Sequence, residues 1–149
     1  MLRVLVIGYG NTLRGDDALG PTVIERLRTQ LPGPEYLSCQ QLGPELAEPL
    51  AACDLAIFVD AAAGGIPGEV HVEHLAPADS PSTMTHHVKP TTLLAMAQEL
   101  YGHAPHARLV SSAGASFESG EELSPECRRA VDESCRLVRK VIGDFPAMW

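Results

Sequence analysis

Aliphatic runs alternate along this chain with segments whose apolar residues recur at helical spacing. Residues 2–7 and 55–59 are almost continuously apolar, which is typical of strands buried on both faces of a parallel sheet. Other segments carry apolar residues at intervals of one, three and four, the pattern of an amphipathic helix. Together these patterns predict strands over residues 2–7, 36–40, 55–59, 69–74 and 108–112, and helices over residues 21–31, 44–50 and 90–101 and from residue 125 onward.

Residues 69–74 differ from the other predicted strands because polar and apolar side chains alternate strictly there. This alternation indicates one solvent-facing side, so we expect an edge strand that runs antiparallel to its neighbour. A Gly- and Pro-rich stretch, residues 64–68, predicts a turn before it. The preceding strand is therefore expected to end at Asp60.

The last helix has a clear start in the sequence. Ser124 is a favoured N-cap residue, and Pro125 fits the first helical position. The spacing of the small and apolar residues beyond it predicts one buried face, which also places a cysteine in the core. That face consists of Cys127, Ala130, Val131, Ser134, Val138 and Val141.

The alternation of strands and helices predicts one domain over residues 1–149, an α/β fold built as a three-layer α/β/α sandwich. Its twisted, five-stranded sheet should be mostly parallel, with one antiparallel strand. In such folds ligands bind beyond the carboxyl ends of the strands, where the winding reverses. Asp16 and Asp17 follow the first strand and Asp60 ends another. If the strand order begins 2-1-3, these carboxylates converge on one crevice.

Composition excludes some classes of partner. The 149 residues carry a formal net charge of −8, which disfavours the phosphate backbone of nucleic acids and anionic membrane surfaces. The four cysteines show neither metal-binding nor disulfide-framework spacing. The first apolar run is too short for a signal peptide. We therefore expect reduced thiols, a cytoplasmic location, and no nucleic-acid or membrane partner.

The glycine turn after the first strand does not predict a dinucleotide site. Leu13 stands where the third glycine of such a loop is needed, and the second predicted strand ends without an acidic residue. Sequence motifs for serine nucleophiles, zinc proteases and phosphate-binding loops are also absent. No organic cofactor is expected.

The converging acids suggest two kinds of chemistry. Asp17 and Asp60 could share a proton as a catalytic dyad or share a metal ion. His86 and His87 precede the third predicted helix and supply imidazole nitrogen, and a mixed oxygen and nitrogen donor set suits Ni²⁺ or Zn²⁺. Simpler roles stay open at this stage, since one of the two neighbouring acids at Asp16 and Asp17 could cap the first helix, and either histidine could be solvated.

Three motifs in order resemble a known family. Residues 7–20 (IGYGNTLRGDDALG), residues 58–61 (FVDA) and residues 85–87 (THH) before a Leu-rich helix are similar to motifs of the hydrogenase maturation endopeptidases. Residues 41–47 and 116–125 look most like the branch that serves bidirectional, NAD-linked hydrogenases. The resemblance spans nearly the whole chain and implies the α/β/α fold expected above.

The resemblance implies a peptidase that removes a C-terminal extension from the large-subunit precursor of a nickel-iron hydrogenase. It places the metal-recognising and catalytic groups at Asp17, Asp60 and His87, with nickel supplied by the precursor. Asn11 and Asp16 are expected to position the substrate. The family often has Glu in place of Asp17, so a metal here would lie closer to that loop or reach it through water.

Two other functions fit the same residues. One is a metal-independent hydrolase of the aspartic type that uses Asp17 and Asp60 as a dyad. The other is a non-catalytic chaperone that senses nickel during hydrogenase assembly. We expect a monomer. An enzyme should dock transiently on its protein substrate, whereas the chaperone should hold the large subunit during assembly.

Overall fold

Five strands form one sheet in the computed structural model, which describes residues 2–78, 88–115, 117 and 122–148. The strands are β1 (Val4–Tyr9), β2 (Glu35–Cys39), β3 (Leu55–Pro67), β4 (Val70–Leu75) and β5 (His106–Ala113). The α-helices are α1 (Leu19–Gln30), α2 (Ala47–Ala51), α3 (Pro90–Tyr101) and α4 (Pro125–Asp144).

The sheet has the order β2-β1-β3-β5-β4. Every neighbouring pair is parallel except β4 and β5, which are antiparallel. The α/β fold, the antiparallel edge strand and the order beginning 2-1-3 are therefore confirmed. None of the helices in the described part of the chain is long and apolar enough to cross a membrane.

Side-chain alternation along β1 divides the core into two apolar layers. Val6 packs on one face with buried residues of α1 and α4. Leu5 and Ile7 pack on the other face with buried residues of α2 and α3. Successive side chains of a strand point to opposite faces of the sheet. The pattern therefore also determines on which face each side chain at the end of β1 lies.

A glycine contact sets the position of α1 over the sheet. A Cβ atom at Gly8 would lie 2.3 Å from the carbonyl oxygen of Gly20, and one at Gly20 would lie 2.5 Å from the carbonyl oxygen of Val59. Both distances are far below van der Waals contact, so only glycine allows the helix to approach this closely. The close packing holds the loop before α1 over the carboxyl ends of β1 and β3.

The prediction that the third strand ends at Asp60 is wrong. Strand β3 continues to Pro67, because Asp60 and Ala62 remain paired with Ser111 and Ala113 of β5. The register shifts after Ala62. The sequence suggested a turn because small residues and glycines follow Asp60, but Ala61 and Ala62 pair with Ser112 and Ala113 of β5, and Pro67 pairs with Ala113 again after the register shift.

The start of α4 is confirmed, since the Ser124 hydroxyl oxygen accepts a hydrogen bond from the Cys127 N–H at 3.1 Å. The predicted buried face needs two corrections. Cys135 is also buried, and Val141 is only partly buried. Cys135 belongs to the core layer that α4 forms with α1 and the sheet, whereas Val141 packs only partly against that layer.

Candidate functional site

A cleft of about 500 Å³ opens at the carboxyl end of β1. We call it the charged cleft, because two acidic and two basic side chains line it together with polar groups. The residues that matter below are Tyr9, Asn11, Arg14, Asp17, Asp60 and Lys89. The expected convergence of Asp17 and Asp60 on one crevice therefore holds in the structure.

Strand register brings Tyr9 and Asp60 together. Gly8 of β1 pairs with Val59 of β3, so the next residue of each strand lies at the same level. Tyr9 continues the alternation of Leu5 and Ile7 along β1. The side chains of Tyr9 and Asp60 therefore both lie on the sheet face that α2 and α3 cover. The Tyr9 hydroxyl therefore lies close enough to the Asp60 carboxylate for each group to shift the pKa of the other.

The loop before α1 places Asp17 at the same cleft. Its carboxylate accepts a hydrogen bond of 2.7 Å from the Asn11 N–H, and its own N–H donates to the Arg14 carbonyl at 3.1 Å. Gly10 makes this fold possible, because it has φ +152° and a Cβ atom there would lie 1.9 Å from the Asp17 carbonyl oxygen. The loop thus orients a carboxylate that is only partly buried toward the cleft.

The environment of Asp60 disfavours its charged form. Burial, the largest influence, raises the pKa of Asp60 to about 7, and the negative charge of Asp17 contributes to the increase. Polar interactions with the Tyr9 hydroxyl and the Ala61 N–H lower the pKa and so act in the opposite direction. Burial and the neighbouring Asp60 also raise the pKa of Tyr9, so the phenol remains a neutral donor. Asp60 is therefore poised to gain or lose a proton near neutral pH.

The raised pKa gives a stability prediction for the metal-free protein. Asp60 has an ordinary pKa of 3.8, so folding favours its protonated form, and this contribution is lost as pH rises toward 7. Asp60→Asn removes the titration, and we expect it to stabilise the fold by roughly 2–4 kcal/mol at pH 8 and by almost nothing at pH 4. Urea unfolding of both proteins at the two pH values measures the difference. An equal effect at both would contradict the assigned pKa.

Asp16 has a different environment from its neighbour. It is fully buried, and its carboxylate accepts hydrogen bonds from the Ala115 N–H at 2.6 Å and from the N–H and hydroxyl of Ser124, each at 2.7 Å. These contacts join the β1–α1 loop to the end of β5 and the start of α4. The expected role of Asp16 in substrate positioning therefore has no support in this geometry, which instead makes it a structural clamp.

The other residues expected at the site are Asn11, His86 and His87. Asn11 lines the charged cleft, and its side-chain oxygen accepts a hydrogen bond of 2.9 Å from the Leu13 N–H. His86 and His87 lie outside the described residues. Val88, Lys89 and Pro90, which follow them, line the charged cleft. Within the described ranges, no three His, Cys, Asp or Glu side chains form a group that could hold a metal ion.

Sequence reasoning overlooked two features of this site. Tyr9 stands in the glycine-rich segment at the end of β1, and only the strand register shows that it lies beside Asp60. Arg14 and Lys89 come from separate loops and reach the same cleft, although nothing in their local sequence distinguishes them from other exposed cations. The one usable signal was the alternation along β1, which places Tyr9 on the same face as Ile7.

Structural comparison identifies proteins with this fold. A nickel-iron hydrogenase maturation protease, HycI, from Thermococcus kodakarensis is 28% identical, with a TM-score of 0.74 over 95% of this chain and 93% of that one. The hydrogenase maturating endopeptidase HybD from Escherichia coli is 25% identical, with a TM-score of 0.78 over 96% of this chain and 93% of that one. A hydrogenase 2 maturation peptidase from a Thaumarchaeota archaeon is 27% identical, with a TM-score of 0.67 over 95% of this chain and 98% of that one.

These neighbours confirm the resemblance to the hydrogenase maturation endopeptidases, and with it the expectation of a peptidase. They do not distinguish the NAD-linked branch from the others. No protein-family model matches the chain, and no curated protein matches it by sequence.

Proposed function

We propose that this chain is an endopeptidase that removes the C-terminal extension from the large-subunit precursor of a nickel-iron hydrogenase. The observation that supports this most strongly is the placement of Asp17 and Asp60 on one cleft, in a fold shared with hydrogenase maturation proteases over nearly the whole chain. The activity is of the aspartic type in the sense that two carboxylates supply the acid and base groups.

Nickel enters as part of the precursor and is recognised by Asp17, Asp60 and His87. The donor chemistry of the cleft supports this role, since burial and the charge of Asp17 both make an unneutralised Asp60 carboxylate costly, and a bound cation removes that cost. Val88, which follows His87 along the chain, lines the same cleft. Oxygen and imidazole donors together suit Ni²⁺.

The reaction needs a water molecule, a proton acceptor and a donor for the developing oxyanion. An ionised Asp17 or Asp60 is the candidate acceptor for the proton of the attacking water, and it can return that proton to the leaving amine. The Tyr9 hydroxyl lies beside the Asp60 carboxylate. Nickel beside the scissile carbonyl would polarise that bond and acidify the water. Asp17, which lines the same cleft, holds the metal and fixes the precursor relative to Asp60.

Asn11 is the candidate donor to the carbonyl oxygen of the scissile bond. Its side-chain oxygen is engaged by the Leu13 N–H, while its amide nitrogen donates to no protein group within the described part of the chain. A preorganised amide of this kind stabilises the negative charge that develops in acyl transfer. We propose this role for Asn11 in place of a role for Asp16.

The metal-independent dyad and the nickel-sensing chaperone remain the competing functions. A chaperone needs the same metal-recognising residues but no water activation, so it forms a stable complex without releasing a peptide. Incubation of the purified protein with nickel-loaded precursor, followed by mass spectrometry, separates these outcomes. We expect a shortened large subunit and a free C-terminal peptide. A lasting complex with an intact precursor would contradict the proposed activity.

We further propose that the protein is a cytoplasmic monomer, that its substrate is a protein, and that it uses no organic cofactor.

A further inference from the structure

A second cleft of about 310 Å³ lies beside the charged cleft, between the β1–α1 loop and the carboxyl end of β2. We call it the uncharged cleft, because none of the described residues that line it carries an ionised side chain. Its lining combines apolar and small polar groups, chiefly Leu13, Pro21, Ser38 and Cys39. The proposed reaction at the charged cleft does not require it.

The two clefts meet along a shared ridge. Gly10, Asn11 and Gln40 line both of them. The Gly10 N–H donates to the Cys39 carbonyl at 3.0 Å, so the β1–α1 loop is joined to the end of β2 along this ridge. A chain that leaves the charged cleft across Asn11 therefore enters the uncharged cleft without a break, since each extended residue advances by about 3.3–3.6 Å.

The uncharged cleft also has an exposed apolar anchor. Leu13 is 58% exposed, although its N–H is fixed by Asn11 at 2.9 Å. The backbone under this side chain is therefore held in an ordered turn, and the leucine is presented to solvent. A large apolar side chain held in this way beside a cleft gains free energy when a ligand covers it.

We infer that the uncharged cleft binds side chains of the substrate extension immediately after the scissile bond, and that Leu13, Ser38 and Cys39 determine which side chains are accepted. This inference rests on the proposed function. The metal-bearing body of the precursor must lie over Asp17 and Asp60, so the scissile bond lies near Asn11 and the released segment crosses the ridge. The cleft accepts uncharged side chains, because a charged group buried there finds no partner of opposite sign among the described residues that line it.

The inference is tested with precursors that carry Leu, Lys or Asp at each of the first three positions of the extension. At one position at least, we expect the wild-type protein to process the Leu form with kcat/KM at least tenfold above the Lys and Asp forms. Ser38→Asp places a carboxylate in the uncharged cleft, and we expect it to raise kcat/KM for the Lys form at that position at least tenfold. Ser38 is exposed, so this substitution leaves the core untouched.

Gln98→Asp adds the same charge on the exposed surface of α3, and we expect it to leave the ratio of the Lys form to the Leu form unchanged. If Ser38→Asp and Gln98→Asp give the same ratio at all three positions, the uncharged cleft does not contact the extension and the inference is wrong. If the wild-type protein releases no peptide from the unsubstituted nickel-loaded precursor, the proposed function fails, and the inference fails with it.

Discussion

Asp17→Asn is expected to lower the rate of extension release by roughly 10²–10⁴-fold while leaving the fold intact. Asn keeps a side-chain oxygen that can accept the hydrogen bond from the Asn11 N–H, which the carboxylate receives at 2.7 Å. It lacks the negative charge that recognises the metal of the precursor and cannot act as a base. The measurement is the single-turnover rate with nickel-loaded precursor, together with the urea midpoint of each protein.

Asp144→Asn is the matched control for the chemical change. Asp144 is exposed at the end of α4 and pairs with Lys140 at 2.8 Å, away from both clefts. We expect it to change neither the rate nor, by more than about 0.5 kcal/mol, the stability. Processing by Asp17→Asn at the wild-type rate would remove Asp17 from the mechanism. A large loss of stability would mean that its carboxylate supports the loop and not the chemistry.

Asp16→Ala is expected to lower the stability of the fold by about 3–5 kcal/mol. This contrasts with Asp17→Asn, which is expected to lower the rate and leave the fold intact. The buried carboxylate accepts three hydrogen bonds from Ala115 and Ser124. Removing it leaves two backbone N–H groups without their acceptor. It also removes the acceptor of the Ser124 hydroxyl, whose oxygen caps α4 through the Cys127 N–H. Urea unfolding measures the loss.

Asp16→Asn separates hydrogen bonding from packing at the same position. Asn fills nearly the same space but presents an NH₂ group where the carboxylate accepted from an N–H, so we expect an intermediate loss of about 2–3 kcal/mol. Under conditions in which the variant remains folded, the rate of extension release should stay close to that of the wild type. Wild-type stability combined with lost activity would restore the expected role of Asp16 in positioning the substrate.

The sequence predicts the fold well because the spacing of apolar residues reflects which positions are buried. The continuous apolar run in β3 and the alternation in β4 distinguish a central parallel strand from an antiparallel edge strand. The extension of β3 to Pro67 could not be predicted in this way. Small residues and glycines have weak strand propensity of their own, and the strand continues here because Ala61, Ala62 and Pro67 pair with the end of β5.

The candidate site is predicted in part. Asp17 and Asp60 could be placed on one crevice because both follow β-strand runs and the order began 2-1-3. The separate roles of Asp16 and Asp17 could not be resolved, since adjacent acids look alike until the partners from β5 and α4 are known. Those partners are more than ninety residues away along the chain. The assignment of His87 stays a prediction.

The nickel dependence of processing tests the central claim most directly. Precursor loaded with nickel and the same precursor without metal are each incubated with the purified protein, and the released C-terminal peptide is quantified by mass spectrometry. Because Asp17 and Asp60 are proposed to recognise the metal, we predict release from the loaded precursor alone, and loss of that release in Asp17→Asn. Equal release from both precursors would contradict the account and favour a metal-independent dyad of Asp17 and Asp60.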